Sequence, residues 1–339
     1  MTTEQATEER AAPRALRRVL VTGAGGFVGQ WLLPALLEQG CEVVALSTEV
    51  PAGDRRHGER PRDERGHLRW MIGDLRDDQY VRGAVDASVP DTVIHLAAIS
   101  HVPTAASDPA LSWDINVTAT ARLLHHVHRA RDRHGVDPVV LLVGSAEQYG
   151  SDPSHQYPLA ETATQAPRTV YAATKAAQEI LGLQQWRATG LQVVVARSFN
   201  HSGVGQTTRF LLPALVERAR QLADAPRGTP MPVGNRSPVR DFLHVRDVVA
   251  AYISLCLRGT PGEAYNVASG IGWSVQQLLD RVLARCGSQA VPVEDPALVR
   301  PVDVPVLIGD PRKLQHATSW RAVHSLDDII DDLRHAATF

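Results

Sequence analysis

The chain has 339 residues, 44% of them hydrophobic and 21% charged, with a formal net charge of -2 at pH 7. That length can bury the core of one large α/β domain plus a smaller lobe, and the near-neutral charge gives no reason to expect nucleic acid or an anionic membrane as a partner. Three scattered cysteines, Cys41, Cys256 and Cys286, argue against a disulfide framework or structural zinc and for a reducing, cytoplasmic setting.

The opening MTTEQATEERAAPR has no apolar core of a signal peptide and reads as part of a disordered tail over residues 1–16. No stretch is long and apolar enough to span a bilayer. RRVLVT then predicts a buried strand, Phe27 to Gln39 a helix and CEVVAL a second strand. A charged loop runs from Pro51 to Gly66. HLRWMI, DTVIHLA and VVLLVG predict the third to fifth strands with helices between them, and LQVVVAR a sixth. Strands alternating with helices imply right-handed crossovers, hence an α/β fold with a doubly wound parallel sheet. Beyond His201 the rhythm changes. Thr207 to Ala223 predicts a helix, a Pro/Gly-rich stretch ends at Val239, and Asp310-Pro311 reads as a helix start.

VLVTGAGGFVGQWL sets Gly23, Gly26 and Gly29 between the first strand and the first helix. The first glycine permits a tight turn, the second admits a pyrophosphate to the backbone, and the third lets helix and strand pack closely. The spacing is one residue wider in its first gap than G-x-G-x-x-G, so the loop alone is a moderate signal. At the end of the second strand, where NAD-dependent enzymes carry a carboxylate, stand Ser47 and Thr48. This leaves NADP(H) favoured and NAD(H) allowed, with Arg55 and Arg56 able to pair with a 2′-phosphate or simply to be solvated. Asp74, in GDL, suits either an adenine amino group or the capping of its own turn.

YAATK puts Tyr171 and Lys175 on one helical face. A neighbouring ammonium favours the phenolate, which would let Tyr171 act as acid or base near neutral pH. Ser145, at the end of the fifth strand, supplies a hydroxyl for the same carbonyl oxygen.

The glycine loop, GDL, HLAA, Asn116, Ser145, YAATK and RSFN occur in the order seen in extended short-chain dehydrogenases/reductases. With RSFNHSGVGQ, VGNRSPVRDFLHVRD, YNVASG and RPVDVPVLIGDPRKL, the chain resembles their GDP-sugar branch, the GDP-mannose 4,6-dehydratases and GDP-6-deoxy-4-keto-mannose reductases. The resemblance covers nearly everything from Arg17 onward. It implies a Rossmann domain over residues 17–205, with 240–266 returning to it. A smaller C-terminal lobe over 206–239 and 267–339 would hold the sugar nucleotide. It also implies that Ser145, Tyr171 and Lys175 are catalytic and that Asn116 supports their geometry. Phe27, Val28, Leu75, Leu96, Ala97 and Ala98 would line the dinucleotide with the glycines, Ser47 and Asp74. Asn200, Arg240 and Arg300 would grip the sugar nucleotide, guanidinium groups being suited to a diphosphate. The competing readings are an Arg240–Asp241 pair and a solvated Arg300.

Ser145-Ala146-Glu147 stands where dehydratases carry Thr–Asp/Ser–Glu, so Glu147 is available as a base but alanine replaces the proton donor. The loop GAGGFVG lacks the Gln-Asp of GDP-mannose dehydratases, and RPVDVPVLIGD is similar to the reductases. The resemblance therefore implies NADPH-dependent reduction of the C4 ketone of GDP-4-keto-6-deoxy-mannose, giving GDP-rhamnose or its C4 epimer. The alternatives are a GDP-mannose 4,6-dehydratase using Glu147 and a sugar-nucleotide 4-epimerase. His125, His126 and His128 do not share a helical face and predict no metal site. Helices over about Ser112 to His134 and Thr169 to Ala188 are expected to pair with a second copy in a four-helix bundle.

Overall fold

The computed structural model describes residues 14–49, 66–299 and 303–336. The tail before residue 14, Arg55, Arg56 and Arg300 lie outside the described residues.

The central sheet is built from β1 (Arg18–Thr22), β2 (Glu42–Ser47), β3 (Leu68–Ile72), β4 (Thr92–His95), β5 (Val139–Val143) and β6 (Gln192–Ser198). They pair in the order β3-β2-β1-β4-β5-β6, all parallel. Burial on both faces follows from period-two alternation. In β5, Val139 and Leu141 enter one core cluster while Val140 and Leu142 enter the other. α1 (Phe27–Glu38) covers the first face, and α2 (Asp78–Ser88) and α5 (Ala119–His134) cover the second. α6 (Val170–Thr189) also packs on the second face, begun by Thr169, whose hydroxyl accepts the Ala172 N–H.

The expected helix from Ser112 is interrupted. α3 (Val102–Ser107) and α4 (Pro109–Trp113) are followed by a wide π turn, Asp114–Thr118, before α5 begins. Such turns accommodate an extra residue and recur at functional sites. Here the turn carries Asn116.

Beyond β6 come β7 (Asn200–Ser202), α7 (Leu211–Gln221), β8 (Pro230–Val233), β9 (Val239–His244) and α8 (Val245–Arg258). α7 starts four residues later than the sequence suggests, because Thr207–Phe210 closes as a turn with Phe210 extended. A seventh parallel strand, β10 (Ala264–Val267), joins the main sheet beside β6. β9 anchors a second sheet with β7, β11 (Gly272–Ser274) and β13 (Val306–Leu307), while β12 (Val291–Glu294) pairs with β8. The lobe core joins α7, α9 (Val275–Cys286) and α11 (Leu326–His335). α10 (Arg312–Thr318) starts after Pro311, with the Asp310 carboxylate accepting the Arg312 N–H at 3.0 Å. Leu314 and Trp320 pack instead under α1 and α8. Among the described residues no helix is long and apolar enough to cross a membrane.

Candidate active site

A cleft of about 1440 Å³ opens at the carboxyl ends of the strands, where the sheet order reverses between β1 and β4. Open α/β sheets bind ligands at such points. Gly23, Gly26, Phe27, Val28 and Gly29 line it from β1, Ser47 from β2, Leu75 from the turn after β3, and Leu96, Ala97 and Ala98 from β4. Gly23 has φ +66°, and a Cβ there would lie 2.7 Å from the Ala97 nitrogen. At Gly29 a Cβ would fall 2.2 Å from the Ala24 carbonyl oxygen. α1 starts at Gly26 with no side-chain cap, so its first N–H groups are left to the cleft. A cradle closed to side chains, ending on uncapped donors, fits a dinucleotide pyrophosphate.

Asp74 is not part of that wall. It accepts the Arg76 N–H at 2.8 Å and forms an ion pair with that side chain at 2.6 Å. Glu49, two residues past Ser47, does line the cleft and is a carboxylate the strand-end reading passed over.

Ser145, Glu147, Tyr171 and Lys175 also line the cleft. Ser145 stands two residues past β5 and caps the following turn, its hydroxyl accepting the Glu147 N–H at 3.2 Å. Its hydroxyl and the Tyr171 phenol line the same cleft. Burial pushes the Tyr171 phenol up to about 12; the Ser145 hydroxyl opposes this and Glu147 adds to it. The expected lowering by Lys175 is absent. That ammonium is itself desolvated, pushed down to about 7, and donates to the Val143 carbonyl at 2.6 Å. A phenol held protonated is a proton donor rather than a resident base.

Asn116 lies behind the cleft and works through the backbone. Its Oδ1 accepts the Ile99 N–H at 2.8 Å and its Nδ2 donates to Thr174 Oγ1 at 2.9 Å. It thereby ties the loop following β4 to the residue preceding Lys175. Ser145 is held in a similar way: its N–H donates to Gln148 Oε1 at 2.7 Å, and Gln148 Nε2 donates to Glu179 at 2.8 Å.

Toward the lobe the cleft is lined by Asn200 and Arg240. Arg240 does not pair with Asp241, because adjacent strand residues face opposite sides. Its partner is Asp303, while Asp241 is buried and caps the Ser269 and Gly270 N–H groups at 2.9 Å. The cleft also contains Ser198 and Tyr252, hydroxyls 2.6 Å apart that sequence periodicity assigns only to core positions. Lys175 and Lys313 are the only lysines in the chain.

A family described as GDP-mannose 4,6 dehydratase matches residues 20–333. The chain belongs to the GDP-mannose 4,6 dehydratase family. Within this family, and within the extended short-chain dehydrogenases/reductases that include it, the strand order and glycine loop find their place. The chain is 32% identical to a GDP-6-deoxy-D-mannose reductase of Pseudomonas aeruginosa, over 90% of this chain and 92% of that one. It is 28% identical to a GDP-6-deoxy-D-talose 4-dehydrogenase of Aggregatibacter actinomycetemcomitans, over 88% and 90%. The structure of RMD from Pseudomonas aeruginosa complexed with NADPH superposes with a TM-score of 0.79 at 28% identity, covering 94% of this chain and 98% of that one. Like these relatives, the chain is an NAD(P)-dependent nucleotide-sugar oxidoreductase.

Proposed function

We propose that the protein reduces the C4 ketone of GDP-4-keto-6-deoxy-mannose, giving GDP-rhamnose or, by attack on the other face, GDP-6-deoxy-talose. The observation that carries this reading is the cleft itself, which brings the buried Tyr171 phenol together with Ser145, Lys175 and the glycine cradle. A dehydratase or epimerase must first remove a proton from the C4 hydroxyl, whereas a ketoreductase needs a donor at that atom. The relatives favour NADPH, and Glu49 keeps NADH allowed because a carboxylate there suits a ribose 2′-hydroxyl.

Bound NADPH supplies the hydride. The Ser145 hydroxyl then holds O4 of the sugar, Tyr171 delivers the proton to it, and the Lys175 ammonium stabilises the phenolate that forms. Asn200, Arg240 and Arg300 would grip the sugar nucleotide, guanidinium groups being suited to its diphosphate. The fold segments 17–205 and 240–266 hold the cofactor, and 206–239 with 267–339 hold the substrate. Ile180 on α6 is exposed, and the reading includes pairing of α5 and α6 with a second copy in the cytoplasm.

The test mixes purified protein with NADPH and GDP-4-keto-6-deoxy-mannose and follows loss of the reduced nicotinamide band. Stoichiometric loss, abolished by Tyr171→Phe, is expected; product NMR then assigns C4. Conversion of GDP-mannose to the 4-keto sugar with no NADPH consumed would instead make Glu147 a dehydratase base.

A further inference from the structure

A buried ammonium is stable only where acceptors replace its water. Lys175 is 2% exposed and has two such acceptors, the Val143 carbonyl at 2.6 Å and Gln178 Oε1 at 2.9 Å. Residues 175 and 178 lie on one face of α6.

The Gln178 carboxamide is itself held in one orientation. Its Nε2 donates to Thr120 Oγ1 at 3.3 Å. The Thr120 hydroxyl donates to the Asn116 carbonyl at 2.8 Å, so Oγ1 is left to accept. His95 Nε2 lies 2.8 Å from the same oxygen, and His95 Nδ1 lies 2.7 Å from Thr22 Oγ1. Donors therefore run from Thr22 through His95 to Thr120, and from Lys175 through Gln178 to the same atom. A flipped carboxamide would set its NH₂ against the ammonium, donor against donor. His95, Thr120 and Gln178 are all buried, so the chain cannot borrow water to relax this direction.

We propose that Gln178 is a positioning residue for Lys175: its carboxamide, oriented by Thr120 and His95, fixes the ammonium against Val143 and leaves the third N–H to the cleft. The inference rests on the reading of Tyr171 and Lys175 as the catalytic pair. The titratable and charged groups around Lys175 are Tyr171 on its own helix, His95 from β4, Glu147 after β5, and the Glu179–Arg197 pair beyond Gln178. None of these changes in a Gln178 variant, so a shift in the Lys175 titration reports the carboxamide.

Because only two lysines exist, ¹³C-lysine labelling with Lys313→Arg leaves one side-chain resonance, and its midpoint against pH is read directly in the full-length protein. Losing a neutral acceptor disfavours the charged form, and gaining a carboxylate favours it. Gln178→Leu is therefore expected to lower the midpoint and Gln178→Glu to raise it, each by about one pH unit or more. The alkaline limb of kcat moves in the same direction in each variant. Unmoved midpoints in both overturn the proposal. A rise in the Glu variant alone also overturns it, since that shows nearness without support. Should Gln178→Leu not fold, Gln178→Met takes its place. Midpoints that move in a protein that oxidises no NADPH would remove the proposed function and keep the positioning role. NADPH oxidation with fixed midpoints would do the reverse.

Discussion

Arg197 and Glu179 form a two-pronged ion pair beneath the active-site wall, with Nε to Oε2 at 2.9 Å and Nη2 to Oε1 at 2.6 Å. Both side chains are almost fully buried. Around them converge Gln148, Gln165 and Tyr149, so the pair holds the turn that presents Ser145. Breaking such a pair strands a buried charge. Arg197→Met should cost about 3–5 kcal/mol in urea unfolding, and the double variant with Glu179→Leu should recover part of that loss.

Tyr171→Phe should lower kcat by roughly 10²–10⁴-fold, the usual weight of a positioned proton donor. NADPH binding, followed by fluorescence, should change little, because the glycine cradle belongs to the turn between β1 and α1 and not to α6. Equal loss of binding and turnover would point to collapse of the cleft instead.

Arg240→Ala should raise KM for the sugar nucleotide by roughly 10- to 100-fold while leaving the dissociation constant for NADPH unchanged, the range expected for charge-assisted bonds. Arg240→Lys should restore little, because an ammonium cannot meet a diphosphate through two parallel bonds. Steady-state kinetics at fixed NADPH separates the two constants.

Gly29→Ala tests the cradle. The added Cβ would meet the Ala24 carbonyl, which cannot move without shifting the turn. A loss of about 1–3 kcal/mol is expected from overpacking, measured by urea unfolding, with weakened NADPH binding in the folded fraction.

His95 predicts a pH dependence of stability. Burial, with a smaller contribution from Lys175, pushes its pKa down to about 3. The folded state therefore keeps it neutral while the unfolded chain protonates below about 6.5. Between these values the unfolded state binds the extra proton, so stability falls as pH falls, by about 1.4 kcal/mol per pH unit for this group. His95→Gln should flatten the urea midpoint between about pH 6 and 4 by that one-proton slope. An unchanged slope would mean that the histidine is not neutral in the folded protein.

Six strands of the main sheet, the glycine turn and the Tyr171/Lys175 spacing were legible in the sequence because each rests on local periodicity or on a backbone conformation that one residue type permits. Composition excluded a membrane-spanning segment for the same reason: the required apolar run is local. Other features depended on what lies far away in the chain. Arg240 finds Asp303 rather than Asp241, and the phenol of Tyr171 is raised rather than lowered. The break at Asp114–Thr118 and the seventh strand β10 were equally hidden. Pairing partners and desolvation are set by the packing of segments far apart in the chain, such as Tyr149 and Asn266, 117 residues apart. Only the tertiary structure brings those segments together, so only it decides which charge each group carries and which neighbour holds it.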